Sequence, residues 1–209
     1  MKTIKKDDFN LTEITDILKR NDEILAKVIA DIGPCYLKRG EQGFCALVNS
    51  IISQQLSKSA SKSIGEKLTK LLGTDIAHPA LFNRVSEREL KDIGLSQNKA
   101  KYIKELSKYV QEGWINFSQL EDMDDENVIK TLTQFKGVGR WTAEMYLMFS
   151  MNRLDVFPID DVAIRNAISS LYGIPKPEID EKAREVADNW KPYRTVVCWY
   201  LYRWLDGSR

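Results

Sequence analysis

The residues best placed by type and spacing to do chemistry fall in two stretches. The first is T-Q-F-K-G-V-G-R-W-T-A-E-M-Y-L-M, Thr133–Met148. An apolar run at helical spacing, Val128, Ile129 and Leu132, leads into it. Gly137-Val138-Gly139 interrupts, and a second helical pattern starts at once with Arg140 and Trp141. Glycines flanking a turn permit positive φ, which tightens the turn and exposes backbone N–H groups. The following helix adds unpaired N–H donors and the positive end of its dipole. Gly137, Val138 and Gly139, with Arg140 as an added cation, therefore read as an anion site sized for one phosphate. Gly-x-Gly alone reads first as an ordinary turn between two helices. The second stretch is D-V-F-P-I-D-D-V-A-I-R, Asp155–Arg165. Here Asp160 suits a helix cap, which leaves Asp161 at the first helical position and free to point into a cleft. The plainer alternative is that both are acids favoured at a helix start.

The elements that must hold these residues all read as helices. Asn21 is expected to cap a helix with Ile24, Leu25, Val28, Ile29 and Ile32 on one face, stopped by Gly33-Pro34. Phe44, Leu47, Val48, Ile51 and Ile52 mark the next helix, which runs into the polar S-Q-Q-L-S of Ser53–Ser57. Caps are expected at Ser57, at Ser86 with Glu89 as a capping box, and at Ser96, while Asp124 and Asp125 suit the N-terminus of the helix leading to Leu132. Two last helices, Ile179–Trp190 and Tyr193–Trp204, flank Pro192. No stretch alternates apolar and polar residues long enough for a strand, so the fold class is all-α. A compact two-lobe arrangement with a cleft between the lobes is expected. Residues from about 44 to 125 form a central lobe, and the N-terminal helices with residues from about 126 to 209 form the second.

At 209 residues and 43% hydrophobic the chain can bury a core. Its net charge of +1 excludes a polybasic coat and an acidic tail, yet a local basic face would still suffice for nucleic acid. Cys35, Cys45 and Cys198 are odd in number and far apart, which argues for buried free thiols and against a disulfide framework or a structural zinc. The single His78, beside Pro79, offers little to a metal. No apolar 18-mer or charged-then-apolar start is present, so neither a membrane span nor a signal peptide is expected, and an intracellular location is.

F-K-G-V-G-R-W-T-A, Phe135–Ala143, resembles the helix-hairpin-helix of the base-excision DNA glycosylase superfamily. Asp155–Arg165 is similar to the segment bearing that superfamily's essential aspartate, and Phe44–Ser57 to its N-terminal signature helix. W-K-P-Y-R-T-V-V-C-W-Y-L, Trp190–Leu201, resembles the C-terminal helix of the alkylated-base branch, 3-methyladenine DNA glycosylase II. Lys136 stands where the hairpin ordinarily has proline.

The resemblance implies a catalytic role for Asp161. Cleaving an N-glycosidic bond develops positive charge on the sugar, which a fixed carboxylate stabilises while orienting or deprotonating water. An alkylated purine is already cationic and leaves without a strong general acid. Trp141 occupies the position of the lysine that attacks the sugar in bifunctional relatives, which implies hydrolysis without strand cleavage. Trp141, Met145 and Tyr202 are the implied base pocket; Gln54, Gln55 and Leu56 correspond to the intercalating loop, with Gln55 as wedge. Trp190, Trp199, Tyr200 and Trp204 read mostly as core. Lys99, Lys101, Lys104 and Lys108 read as a solvated face, with phosphate contact as the alternative.

In relatives the hairpin holds a monovalent cation through main-chain oxygens, here Thr133, Phe135 and Val138, so a structural Na+ or K+ is the one ligand ion implied. No cofactor is required, and no iron–sulfur cluster is expected, because nothing after Cys198 could build its loop. An extra N-terminal β domain is not expected either. The implied activity is release of alkylated purines from double-stranded DNA by a monomer. A glycosylase for uracil or an oxidised base, and a non-catalytic DNA-binding module, are the alternatives.

Overall fold

The computed structural model describes residues 9–75 and 77–207, and no strand occurs among them. In chain order the α-helices are α1 (Leu11–Asn21), α2 (Glu23–Ile32), α3 (Gly43–Ser53), α4 (Lys58–Leu72), α5 (Glu87–Asp92) and α6 (Gln97–Gln111). After these come α7 (Phe117–Leu120), α8 (Asp125–Leu132), α9 (Arg140–Met145), α10 (Val162–Tyr172), α11 (Ile179–Asp188) and α12 (Arg194–Gly207). Contacts gather them into two units, Met1–Arg39 with Leu147–Arg209, and Gly40–Tyr146.

In the first unit α1 packs on α2, α2 on α12, α12 on α10, and α10 on α11. Ile14, Leu18, Leu25, Val28 and Ile29 are buried from the N-terminal pair, and Ile164, Ala167, Ile168, Val196 and Val197 from the C-terminal helices. The cap of α2 is Asp22 rather than Asn21, which ends α1 instead. Asp22 has the extended backbone a cap needs, and its Oδ1 accepts from the N–H groups of Ile24 (3.0 Å) and Leu25 (2.9 Å). Its Oδ2 accepts from the Tyr172 hydroxyl at 2.5 Å and the Trp190 indole N–H at 2.8 Å, so one carboxylate ties α2 to the end of α10 and to the turn before α12. Trp190 and Tyr200 have no exposed surface and belong to the core. Arg194 grips Asp155 with two parallel bonds, Nε–Oδ1 at 2.7 Å and Nη2–Oδ2 at 2.9 Å, which anchors the segment leading to Asp161.

In the second unit α3 packs on α4, α6 and α9, α5 on α6, and α8 on α9. Leu47, Val48 and Ile51 meet a core shared with Ala100, Ile103 and Leu106. Caps stand at Ser57, Ser86 (with Glu89 in a capping box), Ser96 and Asp124, each accepting from the backbone N–H three residues on. The hairpin helices α8 and α9 thus lie in this unit, and the division falls after Tyr146 instead of near residue 125. The packing of α9 on α3 carries them there.

Candidate active site

The hairpin is built from the end of α8 to the start of α9. Thr133 closes α8, the Val138 N–H returns to the Phe135 carbonyl at 3.0 Å, and Ala143 N–H takes up the Gly139 carbonyl at 3.0 Å to start α9. Phe135 and Val138 are buried beneath the turn. The two glycines do different work. Gly137 has φ +85, whereas Gly139, expected to share that conformation, is the extended cap of α9 at φ −86. Gly137 is also pressed on Tyr102 of α6: a Cβ there would lie 2.5 Å from Tyr102 Cδ2. Neither backbone nor space admits a side chain at 137.

Arg140 is not presented as an open cation. Its Nη2 and Nη1 bond Glu126 Oε1 (2.5 Å) and Oε2 (3.2 Å), and its Nε bonds the buried Glu144 at 3.1 Å. Two carboxylates orient the guanidinium and offset its charge, while half of the side chain stays exposed. The guanidinium in turn holds the Glu126 carboxyl below its ordinary pKa through those hydrogen bonds. The main-chain oxygens of Thr133, Phe135 and Val138 suit a monovalent cation. They are neutral oxygen ligands, Thr133 is the C-cap at the negative end of α8, and the Phe135 oxygen keeps a lone pair beyond its bond to Val138.

Alongside the hairpin runs a groove of about 900 Å³, lined among others by Gln54, Gln55, Leu56, Gly137, Gly139 and Trp141. Trp141, 43% exposed, offers its indole to solvent from the first turn of α9. Met145, four residues on and hence on the same helix face, is half-buried. In the S-Q-Q-L-S loop, Gln55 and Leu56 are exposed, while the Gln54 amide turns inward to the Gly137 carbonyl at 2.8 Å and Thr142 Oγ1 at 3.2 Å. The second unit therefore gathers the hairpin, the loop and Trp141 on one groove.

Two lysines of α6, Lys99 and Lys104, bond main-chain carbonyls, while Lys101 and Lys108 stay exposed. Lys99 donates to the carbonyls of Ile52 (2.8 Å) and Gln54 (2.6 Å), and partial burial lowers the pKa of its ammonium. Lys104 donates to Phe82 and, at 2.7 Å, to Val85 carbonyls. Lys101 and Lys108 face Glu105 and Glu112 one turn on.

In the first unit Asp161 and Tyr202 meet directly. The cap of α10 is Asp161, not Asp160: Arg165 N–H takes the Asp161 carbonyl at 3.0 Å, and Asp161 Oδ1 accepts from Ala163 (2.7 Å) and Ile164 (3.1 Å). The bond from Asp161 N–H to the Pro158 carbonyl sets this register and leaves Asp160 exposed in the turn. Asp161 is only 7% exposed, and its Oδ2 accepts from the Tyr202 hydroxyl at 2.8 Å. A carboxylate held at both oxygens has fixed orientation, which is what stabilising a transient cation requires. The Tyr202 ring lies 6.5 Å from Phe149, an aromatic that sequence reasoning passed over.

The turn between α8 and α9, with its single left-handed glycine, is a helix-hairpin-helix. The chain belongs to the HhH-GPD superfamily of base excision DNA repair proteins, whose model matches residues 48–192, a span that includes the loop, the hairpin and Asp161. It is 29% identical over 188 residues to DNA-3-methyladenine glycosylase 1 of Schizosaccharomyces pombe, covering 89% of this chain and 82% of that protein. The crystal structure of a Bacillus halodurans DNA-3-methyladenine glycosidase superposes with a TM-score of 0.80 at 34% identity, over 91% of this chain and 88% of that one. A Schizosaccharomyces pombe 3-methyladenine DNA glycosylase in complex with abasic DNA gives 0.82 at 28%, over 91% and 95%.

Proposed function

We infer that the protein is a monofunctional DNA glycosylase that hydrolyses the N-glycosidic bond of alkylated purines, of the 3-methyladenine and 7-methylguanine type, and leaves an abasic site. The observation that carries the reading is Asp161, a buried carboxylate fixed by α10 and Tyr202, in a chain similar to proteins named for that activity. The hairpin at Gly137–Gly139 takes one phosphate of double-stranded DNA. The damaged nucleotide leaves the stack, at a cost lowest for weakened pairs, and the exposed loop tip at Gln55 fills the gap. Trp141 stacks on the electron-poor alkylated ring, with Met145 beside it. As the base departs with the bonding electron pair, Asp161 stabilises the positive sugar, orients the water that attacks it and accepts the proton that the water gives up. Tyr202 serves by holding the carboxylate. The protein acts as a monomer inside the cell.

A monovalent cation on the oxygens of Thr133, Phe135 and Val138 would add positive charge at the phosphate. Trp141 has no amine to form a Schiff base, so borohydride traps no covalent protein–DNA complex. Release of bases from methylated, uracil-containing and 8-oxoguanine duplexes tests the substrate class, with release expected from the first only. Asp161→Asn is expected to lose release and keep DNA binding, because asparagine caps a helix as well as aspartate does. Unchanged release would refute the reading.

A further inference from the structure

We propose that Lys99 is a positioning residue for base extrusion: its ammonium latches the S-Q-Q-L-S loop from within and takes no part in holding phosphate. The proposal rests on the reading of Gln55 as the residue that fills the gap.

The last helical bond of α3 runs from Gln54 N–H to the Ser50 carbonyl at 3.3 Å. Carbonyls beyond it have no partner within the helix and sit at the negative end of its dipole. Lys99 Nζ reaches two of them, Ile52 at 2.8 Å and Gln54 at 2.6 Å, from another helix 45 and 47 residues away in the chain. The lysine stands in the first turn of α6, where a cation is unfavourable to its own helix dipole. Its place is explained by what it reaches across to.

The residue just past the latch shows what is being held. Gln55 has φ +56, a left-handed conformation that residues with side chains rarely adopt and that persists only where its surroundings impose it. On one side Gln54 is fixed twice, its carbonyl by Lys99 and its amide by Gly137 and Thr142. On the other, Leu56 N–H returns to the Ser53 carbonyl at 3.2 Å. Between these fixed points Gln55 and the 39%-exposed Leu56 project outward. A tip that must enter a stack of bases gains by being ordered beforehand, since the entropy of ordering is then not charged to extrusion.

The test compares wild type, K99M and K99R as full chains. Substrates are duplexes carrying 7-methylguanine opposite cytosine, and the same lesion in a weakly stacked mismatch. Under single turnover, K99M is expected to release the matched lesion roughly ten- to a hundredfold more slowly, as suits the loss of two charge-assisted bonds. The defect shrinks on the mismatch, which opens with less help. K99R, which keeps two donors, recovers most of the rate. The slope of log affinity against log salt stays as in wild type, whereas a lost phosphate contact would flatten it by about one. Hydrogen exchange at the Leu56 amide speeds up in K99M.

A flattened slope with equal losses on both substrates overturns the proposal, as does an unchanged rate on the matched duplex. If K99M does not fold, K99Q is used instead: a matched-to-mismatched ratio below wild type supports the latch and a wild-type ratio overturns it. A wild-type protein inert on every substrate would refute the glycosylase reading instead. The Leu56 exchange rate then decides the latch by itself, and an unchanged rate in the variant overturns it.

Discussion

Replacing each glycine of the hairpin by alanine separates two roles that the motif makes look alike. At Gly137 the added Cβ meets Tyr102 at 2.5, 2.8 and 3.0 Å, on a backbone with φ +85. The left-handed conformation costs an alanine roughly 1–2 kcal/mol, and overpacking against a ring adds about 1–3 kcal/mol. Gly137→Ala should therefore lose about 2–5 kcal/mol. At roughly 2–4 °C per kcal/mol for a chain of this size, melting falls by about 4–20 °C. At Gly139, with φ −86 and no atom within 4 Å of the added Cβ, only the weaker capping preference for alanine is felt, at most about 1 kcal/mol. Differential scanning calorimetry of both variants, with Tyr102→Ala in each background, gives the coupling. The Tyr102 change should restore about 1–3 kcal/mol to Gly137→Ala and nothing to Gly139→Ala. Equal losses at the two glycines, or additivity of Gly137→Ala with Tyr102→Ala, would refute the assignment.

Three further outcomes follow from the geometry. Asp22→Ala removes the cap of α2 and strands the Tyr172 hydroxyl and the Trp190 indole, so chemical denaturation should show a loss of about 3–5 kcal/mol. Burial, with the Asp22 carboxylate beside it, raises the Tyr172 phenol above its ordinary range, and burial raises that of Tyr200. Because these folded-state values lie above the unfolded one, the stability they represent is present below about pH 10 and is lost as pH rises beyond it. Ultraviolet titration should find that Tyr172 and Tyr200, among the eight tyrosines, ionise only with unfolding. Finally, Glu126→Gln leaves Arg140 with one carboxylate, and the slope of log DNA affinity against log salt should steepen by up to about one.

What the sequence disclosed, it disclosed through local chemistry. Ser57, Ser86 and Ser96 were legible as caps because each acts on its own helix within three residues. The all-helical fold followed from apolar spacing, and the hairpin from its glycines. Two adjacent acids at 160 and 161 satisfied the same local rule, and the choice between them fell to a bond with Pro158 in the preceding turn. Asn21 and Asp22 differed in the same way. The partners of Lys99 and Tyr102 were illegible for another reason: they lie between 35 and 47 residues away, and no periodicity encodes them. For Arg140, Glu144 stands one helical turn on and was within reach of inspection, whereas Glu126 depends on how α8 meets α9.

Asp161 serves its helix with one oxygen, and several small polar residues could do that as well. Under the role proposed for Asp161, a lineage that exchanged this acid for asparagine would keep its helix cap and forfeit turnover. Pressure to stay folded is blind to such a change, so under that proposal the identity of this one side chain, more than any resemblance of shape, would separate working copies of the scaffold from silent ones.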